Sequence, residues 1–407
     1  MVAYNFENPA KASQKRVAKK YFTLEITTSA LCDLNCTYCF EGEKVDKARL
    51  DNELPVIFKR IDSILADKNW FQSKYDGLNI SLWGGEPTLN PNFIIELMNK
   101  YRDHENVDFH LYTNAFNIHN MRKIIENVDT SKLHVQVSYD GRAVNDSYRL
   151  MKNKKPSSNH VINNLYELAG LGINVSMKAT LPIDSMESLY ACWEDYYDIQ
   201  KLLWKVSKDI NISYSPTIDY ITKFSLDEKK DAIKIFRAEF LKIAKREIEF
   251  YNENGRYLCS WFGGEDNRKH CSAGYNMAAI DQRGNLYACH GAIYSKHKEE
   301  LAYSDINDDA FVEKISAYTQ KFEEPLKKIH KDCQDCVATT CMICPVASHE
   351  KSEKTDFFEK WTDNWVNELC GFFKTFGEID RAVQKHIFSA NAMTKQEYMD
   401  KEASNGM

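Results

Sequence analysis

Six short stretches in the first half of the chain mix β-branched and aromatic residues with polar ones: YFTLEIT (21–27), LNISLW (78–83), VDFHLYT (107–113), KLHVQVS (132–138), INVSMKATL (173–181) and INISYSP (210–216). Each reads as a strand. Between them the apolar positions change to a helical period. After Asn90 as a cap and Pro91 in the first turn, Ile94, Leu97, Met98 and Tyr101 share one face. Leu189, Cys192, Trp193 and Tyr196 form a second stripe, which places Cys192 in the core. Strands separated by helices predict a parallel sheet wound as βα units, either open and doubly wound or a partial barrel. In both, active residues gather at the C-terminal ends of the strands.

The polar motifs fall at those ends. ALCDLNCTYCFEG (30–42) follows the first strand, WGGEP (83–87) the second, TNA (113–115) the third and SYDG (138–141) the fourth, so the four converge on one rim. Past residue 217 the strand rhythm stops. Ser225 and Glu228 make a capping box ahead of a helix whose apolar face is Ile233, Phe236, Phe240 and Ile243. Cysteine-rich sequence then runs from Cys259 to Cys370.

Composition limits what the thiols can be. With 407 residues, 43% hydrophobic and 28% charged, the chain can order throughout and hold two or more domains. A formal net charge of -6 supplies no field for gathering phosphate backbones, so nucleic acid is not an expected partner. No stretch approaches the ~20 apolar residues of a membrane helix, and the N-terminus lacks the apolar core of a secretory signal. The chain therefore reads as cytoplasmic, with no membrane partner. In a reducing compartment its twelve cysteines indicate metal ligation or redox work rather than disulfides. Cys32, Cys36 and Cys39 are three where a zinc site wants four ligands. A cubane iron-sulfur cluster held by three thiolates leaves one iron open.

Cys-x3-Cys-x2-Cys with Tyr38 ahead of the last cysteine resembles the radical S-adenosylmethionine (SAM) enzymes. The resemblance implies a [4Fe-4S] cluster whose open iron is chelated by SAM. Reductive cleavage of SAM then gives a 5'-deoxyadenosyl radical that abstracts a hydrogen atom. It also implies that Gly84 and Gly85 let backbone approach SAM and that Glu86 accepts from its ammonium. SYDGRAVNDSYR resembles the S-x-D-G…D-x-x-R segment of the family, which offers Ser138 to the ribose, and Arg149 to the carboxylate or to bracing a loop. Asn114 joins the rim set or serves a turn.

The later cysteines resemble the SPASM extension of radical SAM enzymes that modify peptides and proteins, which carries two auxiliary [4Fe-4S] clusters. Motif order implies Cys271, Cys289 and Cys344 for the inner cluster, with Cys259 as fourth ligand. It implies Cys333, Cys336, Cys341 and Cys370 for the outer one. The last run here is x2, x4, x2 where the family shows x2, x5, x3, which leaves the division between clusters open. The implied architecture is an α/β chain. A partial (β/α)6 TIM-like barrel spans residues 1–220, a helical linker 221–258, the SPASM domain 259–375, and a C-terminal helix and tail 376–407.

The implied activity is radical modification of a peptide or protein side chain, by cross-link, thioether, epimerisation or oxidation, with a reductant such as flavodoxin or ferredoxin. Members that bind a leader peptide often begin with a winged-helix domain, for which the twenty or so residues before the first strand are too few. Two alternatives are modification of an amino acid, sugar or nucleotide, and anaerobic sulfatase maturation to formylglycine. Sulfatase maturases carry an aspartate as general base directly after the cysteine that corresponds to Cys289. Here His290 stands in that place as the candidate proton acceptor. A non-catalytic iron-sulfur electron-transfer protein has no use for an open iron beside a SAM-like pocket.

Overall fold

The computed structural model describes residues 19–41, 53–173, 175–218, 226–263, 271–333, 336–338, 341, 344–346 and 369–390. Ser225 of the expected capping box lies outside them. The strands in chain order are β1 (Tyr21–Ser29), β2 (Leu34–Cys36), β3 (Gly77–Gly84), β4 (Val107–Thr113), β5 (Leu133–Ser138), β6 (Arg149–Met151), β7 (Val175–Leu181), β8 (Pro216–Ile218), β9 (Met277–Ile280), β10 (Asn285–Tyr287) and β11 (Ser304–Asp305). One nine-stranded sheet runs β11-β10-β9-β1-β3-β4-β5-β7-β8, and β2 pairs with β6 apart from it.

From β1 to β8 the neighbours are parallel, six strands in all, which is the parallel sheet the alternation predicts and the partial barrel the family resemblance implies. Successive side chains of a strand point to opposite faces. Phe22, Leu24 and Ile26 of β1, Leu78, Ile80 and Leu82 of β3, and Val135 and Val137 of β5 all face the helical layer and are buried. Helices Pro91–Lys100, Ile118–Ile125, Ser158–Gly170 and Leu189–Val206 cover that layer with apolar faces that include Phe93, Met121, Leu165 and Trp193. Burying each such side chain contributes about 1.5–3 kcal/mol, so the apolar alternation alone commits the register. Cys192 is fully buried in the Leu189–Val206 helix, as its stripe predicts.

The alternate positions face inward and are polar: Glu25 and Thr27 on β1, Ser81 and Trp83 on β3, His110 and Tyr112 on β4, His134, Gln136 and Ser138 on β5, and Ser176, Lys178 and Thr180 on β7. On β5 and β7 they are half-buried while every outward neighbour is buried, so the barrel encloses a polar lumen.

Three differences from the sequence expectation have physical causes. The strand expected over 210–216 is Pro216–Ile218. Upstream of it the backbone donors are taken elsewhere: the Ile212 N–H donates to Gln200 Oε1, and Tyr214 exchanges hydrogen bonds with Leu258 and Ser260. The described strands of the cysteine-rich half join the barrel's own sheet, because β9 pairs in parallel with β1. The C-terminal helix spans Cys370–Ala390, opening at the cysteine rather than at 376. It lies on the long helix Leu226–Asn254 through Phe236, Phe240, Trp261, Phe262, Phe372 and Phe376, whose rings meet edge-on and tilted at centroid distances of 4.8–6.2 Å. Among the described residues no helix is long and apolar enough to cross a membrane.

Candidate active site

The loop that leaves β1 carries Cys32, Cys36 and Cys39 to the C-terminal end of the barrel. Cys36 lies in β2 opposite Arg149 of β6, and the Cys39 N–H donates to the Cys36 carbonyl in a tight turn. None of the twelve cysteines is in a disulfide. Asn114 Nδ2 donates to Cys32 Sγ at 3.7 Å and to Asp33 Oδ1 at 2.8 Å, so Asn114 does sit against the trio. Among the described residues no three Cys, His, Asp or Glu side chains converge on a point that suits a single metal ion. Three thiols carried on one loop fit a cubane instead, which takes one thiolate on each of three irons.

Gly84 and Gly85 have a specific steric task. A Cβ on Gly84, whose φ is +141°, would lie 2.1 Å from the Ser29 carbonyl oxygen, and one on Gly85 would lie 2.5 Å from that of Leu31. The close approach they permit is therefore to the chain that leads into Cys32. Glu86 is fully buried and cross-braces the same rim. Its carboxylate accepts from the Thr88 N–H and hydroxyl, the Thr113 hydroxyl and the Asn114 N–H at 2.6–3.1 Å. Three of these donors fall on Oε1 and one on Oε2, which leaves Oε2 a lone pair for the expected role of accepting from an ammonium. Burial, and then the charge of Asp33, push its pKa up to about 7.

Sequence reading missed Asp140, the centre of the next group. It is fully buried. One oxygen accepts from the Thr180 N–H, and the other accepts from Arg149 Nε at 3.0 Å and from the Tyr38 hydroxyl. Burial alone would lower the Arg149 pKa, but the Asp140 carboxylate outweighs it and holds the guanidinium charged. Arg149 also lies over the Tyr38 ring, 5.4 Å from its centroid. Arg149 and Tyr38 thus clamp the cysteine loop to the end of β5. Ser138 ends that strand, half-buried and facing the lumen beside them.

His290 follows Cys289 and opens a short helix, His290–Ile293. Its N–H donates to Glu25 at 2.7 Å, and its Nδ1 lies 2.9 and 3.0 Å from the two oxygens of that buried carboxylate. The ring stacks on Trp83 at 3.8 Å, directly ahead of the paired glycines. Trp83 in turn stacks on Tyr112, and Tyr112 on His110. Sequence reading missed Glu25 as well.

The later cysteines separate into two cores. Cys289 is buried with Ala273, Met277, Ala279 and Val346, and Cys271 and Cys344 pack against that group. Cys336 and Cys341 belong to the main core, the Cys336 N–H donates to the Cys333 carbonyl, and Cys370 opens the C-terminal helix. Cys259 is fully buried in the main core, its N–H donating to Glu247 at 2.7 Å. The contacts described for it are not with Cys271, Cys289 or Cys344.

Comparison with known proteins agrees with this geometry. The family model for the Radical SAM superfamily matches residues 26–189, the stretch from β1 through the Asp140 group. The cysteine-type anaerobic sulfatase-maturating enzyme of Clostridium novyi (strain NT) is 29% identical over 400 residues, covering 91% of this chain and 97% of that protein. The radical SAM cyclopropyl synthase TigE of Paramaledivibacter caminithermalis is 21% identical, covering 71% of this chain and 62% of its own. An uncharacterized protein of Methanocaldococcus jannaschii, MJ0907, is 31% identical over 157 residues, 38% of this chain and half of its own length. A solved structure of native anSMEcpe with bound AdoMet and Cp18Cys peptide shares the fold, with a TM-score of 0.67 over 92% of this chain and all of that one at 18% identity. The chain carries a radical SAM domain and is an enzyme. That family implies a [4Fe-4S] cluster and SAM as cofactors, and the relatives that span most of the chain include a sulfatase maturase.

Proposed function

We propose that the chain is a radical SAM/SPASM enzyme, acting in the cytoplasm, that modifies a side chain of a peptide or protein. Cys32, Cys36 and Cys39 hold the SAM cluster. Cys271, Cys289 and Cys344 hold an inner auxiliary cluster, and Cys333, Cys336, Cys341 and Cys370 an outer one. The surroundings of Cys259 do not support the fourth-ligand place that motif order gives it. When bound, the SAM cluster supplies a 5'-deoxyadenosyl radical at the price of one electron from a reductant of flavodoxin or ferredoxin type.

The protein's own part is positional. Ser138 and Asn114 line the rim, the Arg149–Asp140 clamp fixes the cysteine loop, and Glu25 orients His290. With Nδ1 turned to Glu25, Nε2 of His290 has no partner among the described residues and is the atom that accepts a proton from the substrate. The observation that carries the reading is this junction: His290, next to Cys289 of the extension, is seated on Glu25 of β1 and stacked on Trp83 of WGGEP. It ties the later thiols to the SAM rim. Similarity to a sulfatase maturase over 97% of that protein's length favours, as a second reading, oxidation of a Cys or Ser side chain to formylglycine, with His290 replacing the aspartate.

The test is anaerobic turnover with dithionite, SAM and peptides bearing Cys or Ser, followed by mass spectrometry. Wild-type enzyme should form 5'-deoxyadenosine, and His290→Ala should keep that activity while losing modified peptide. Absence of 5'-deoxyadenosine from iron-replete protein overturns the reading. Unchanged product from His290→Ala removes its proton-transfer role.

A further inference from the structure

The strand that backs the cysteine loop ends in a basic turn. β2 and β6 pair with Cys36 opposite Arg149, Asn35 opposite Leu150 and Leu34 opposite Met151. Past Met151 the chain reverses over KNKK (152–155) and returns to set Pro156 against Leu150. The Met151 N–H donates to the Lys155 carbonyl at 2.9 Å and the Lys154 N–H to the Met151 carbonyl at 2.8 Å. Asn153 Oδ1 accepts from the Lys155 N–H, and Lys154 takes the left-handed conformation with a φ of 63°. The turn is thus fixed by its own backbone. Lys152, Lys154 and Lys155 are exposed, and among the described residues none of the three ammonium groups meets a carboxylate. Asp146, the acid nearest in sequence, is bonded to Ser158, from whose N–H and hydroxyl it accepts at 3.0 and 2.7 Å. Asn35 and Thr37, on either side of Cys36, are exposed as well. The strand pair that carries Cys36 therefore has a solvent edge and a basic end.

We propose that the Lys152–Lys155 turn is the docking surface for the one-electron carrier that reduces the SAM cluster, an acidic protein of flavodoxin or ferredoxin type. The proposal rests on the enzyme reading above. That reading needs one electron to pass to the cluster for each SAM cleaved, the carrier being oxidised by one as the cluster is reduced by one. Transfer falls off steeply with distance, so the carrier must be held close to the cysteine loop. By strand rise the first of the lysines lies roughly 10 Å along the hairpin from the Arg149–Cys36 pair. Charge argues in the same direction. The chain has a formal net charge of -6, which repels an acidic protein as a whole, so attraction has to come from a local cluster of the opposite sign. Three lysines on a rigid turn supply one, and exposed charges of this kind act on encounter and orientation more than on raw affinity. An acidic segment of the substrate is the other occupant that the same charges could take, and the experiment separates the two.

Reconstituted enzyme with SAM is reduced either by dithionite or by flavodoxin whose flavin has been fully reduced, and 5'-deoxyadenosine is followed by chromatography. Binding of oxidised flavodoxin is measured in parallel by calorimetry. In wild type the flavodoxin-driven rate and the affinity should both fall as salt rises. In the triple variant Lys152→Glu, Lys154→Glu, Lys155→Glu the flavodoxin-driven rate should fall by about tenfold or more, the low end of electrostatic steering, and lose its salt dependence. The dithionite-driven rate should stay at the wild-type value, since a small reductant needs no docking surface. Iron content and circular dichroism report whether the variant is intact. If it is not, Lys152→Gln with Lys155→Gln replaces it and leaves the left-handed Lys154 in place. Failure of that pair to load iron gives the turn to the scaffold of the cysteine loop and overturns the surface. Equal losses with both reductants overturn it too, as does an unchanged flavodoxin-driven rate. Unchanged flavodoxin binding with weakened binding of an acidic peptide gives the turn to the substrate instead. Failure of the enzyme reading is seen separately, as wild type that makes no 5'-deoxyadenosine with dithionite.

Discussion

Around Cys36 the backbone is bonded before any metal arrives. Cys36 pairs with Arg149 across β2 and β6, and Arg149 is locked by the buried carboxylate of Asp140, which is itself bonded to the Thr180 N–H of β7, a strand of seven residues. Around Cys271 and Cys289 the regular structure is slight: β9, β10 and β11 have four, three and two residues. Ladder hydrogen bonds can preorganise the first set, whereas the second has few of them and, under the proposed assignment, would gain order from ligation itself. The proposal thus mounts the same ligand chemistry in two ways, as a cofactor placed on a finished scaffold and as a staple that completes one.

Paired thiol removals give the sharpest contrast. Cys36→Ala should abolish 5'-deoxyadenosine formation while shifting Tm by no more than roughly 3 °C, since β2 and β6 pair through their backbones. Cys289→Ala should do the reverse, lowering Tm further and retaining SAM cleavage. Product analysis by chromatography and thermal unfolding followed by circular dichroism check both. A large Tm loss in Cys36→Ala with none in Cys289→Ala would break the comparison.

Asp140→Asn comes next. It leaves Arg149 charged and buried without its counter-ion, a change that costs about 3–5 kcal/mol when one partner of a buried pair is removed. Denaturant unfolding should register that loss. Asp140→Asn combined with Arg149→Met should recover part of it, which a general packing defect at Asp140 would not allow. Glu25→Gln should be milder in stability and specific in chemistry. It should leave SAM cleavage intact and slow product formation by about tenfold or more, the low end of what a positioned proton acceptor supplies. Equal slowing of both steps would mean that Glu25 serves the scaffold alone.

The first five barrel strands were legible because each repeats one instruction, apolar out and polar in, over five or more residues. The rim followed from chain order. What was not legible depends on pairing across long stretches of sequence. MAAI at 277–280 is too short to show a period, and its place beside β1 is set by partners some 250 residues away. Ile212 and Tyr214 look like strand residues because they are buried, yet their N–H groups go to Gln200 and Leu258. Among the site residues, the thiols declared themselves by spacing. Glu25 and Asp140 did not, since a lone acid in an apolar strand or a turn reveals its task only when His290, Arg149 and Tyr38 are brought to it.

The smallest effect tests which side of the comparison Cys259 is on. Glu247 is fully buried in the long helix and accepts from the Trp193 indole N–H, the Leu258 N–H at 2.9 Å and the Cys259 N–H at 2.7 Å. Burial pushes its pKa up to about 7 from 4.5, against those donors. Between these two values the native state keeps a proton that the unfolded chain has released, so stability falls as pH rises through the window and is flat beyond it. Glu86, pushed up by the same cause, adds its own slope, so the useful quantity is the difference between wild type and Glu247→Gln. That difference should change by an amount on the order of 2–3 kcal/mol between about pH 4.5 and 7, in favour of the variant at the higher pH. Denaturant midpoints at both ends of the window measure it. If Cys259 belongs to the main core, iron content stays at the wild-type value in Glu247→Gln. Iron lost in step with the pH slope would instead put Cys259 with Cys271, Cys289 and Cys344, on the stapled side.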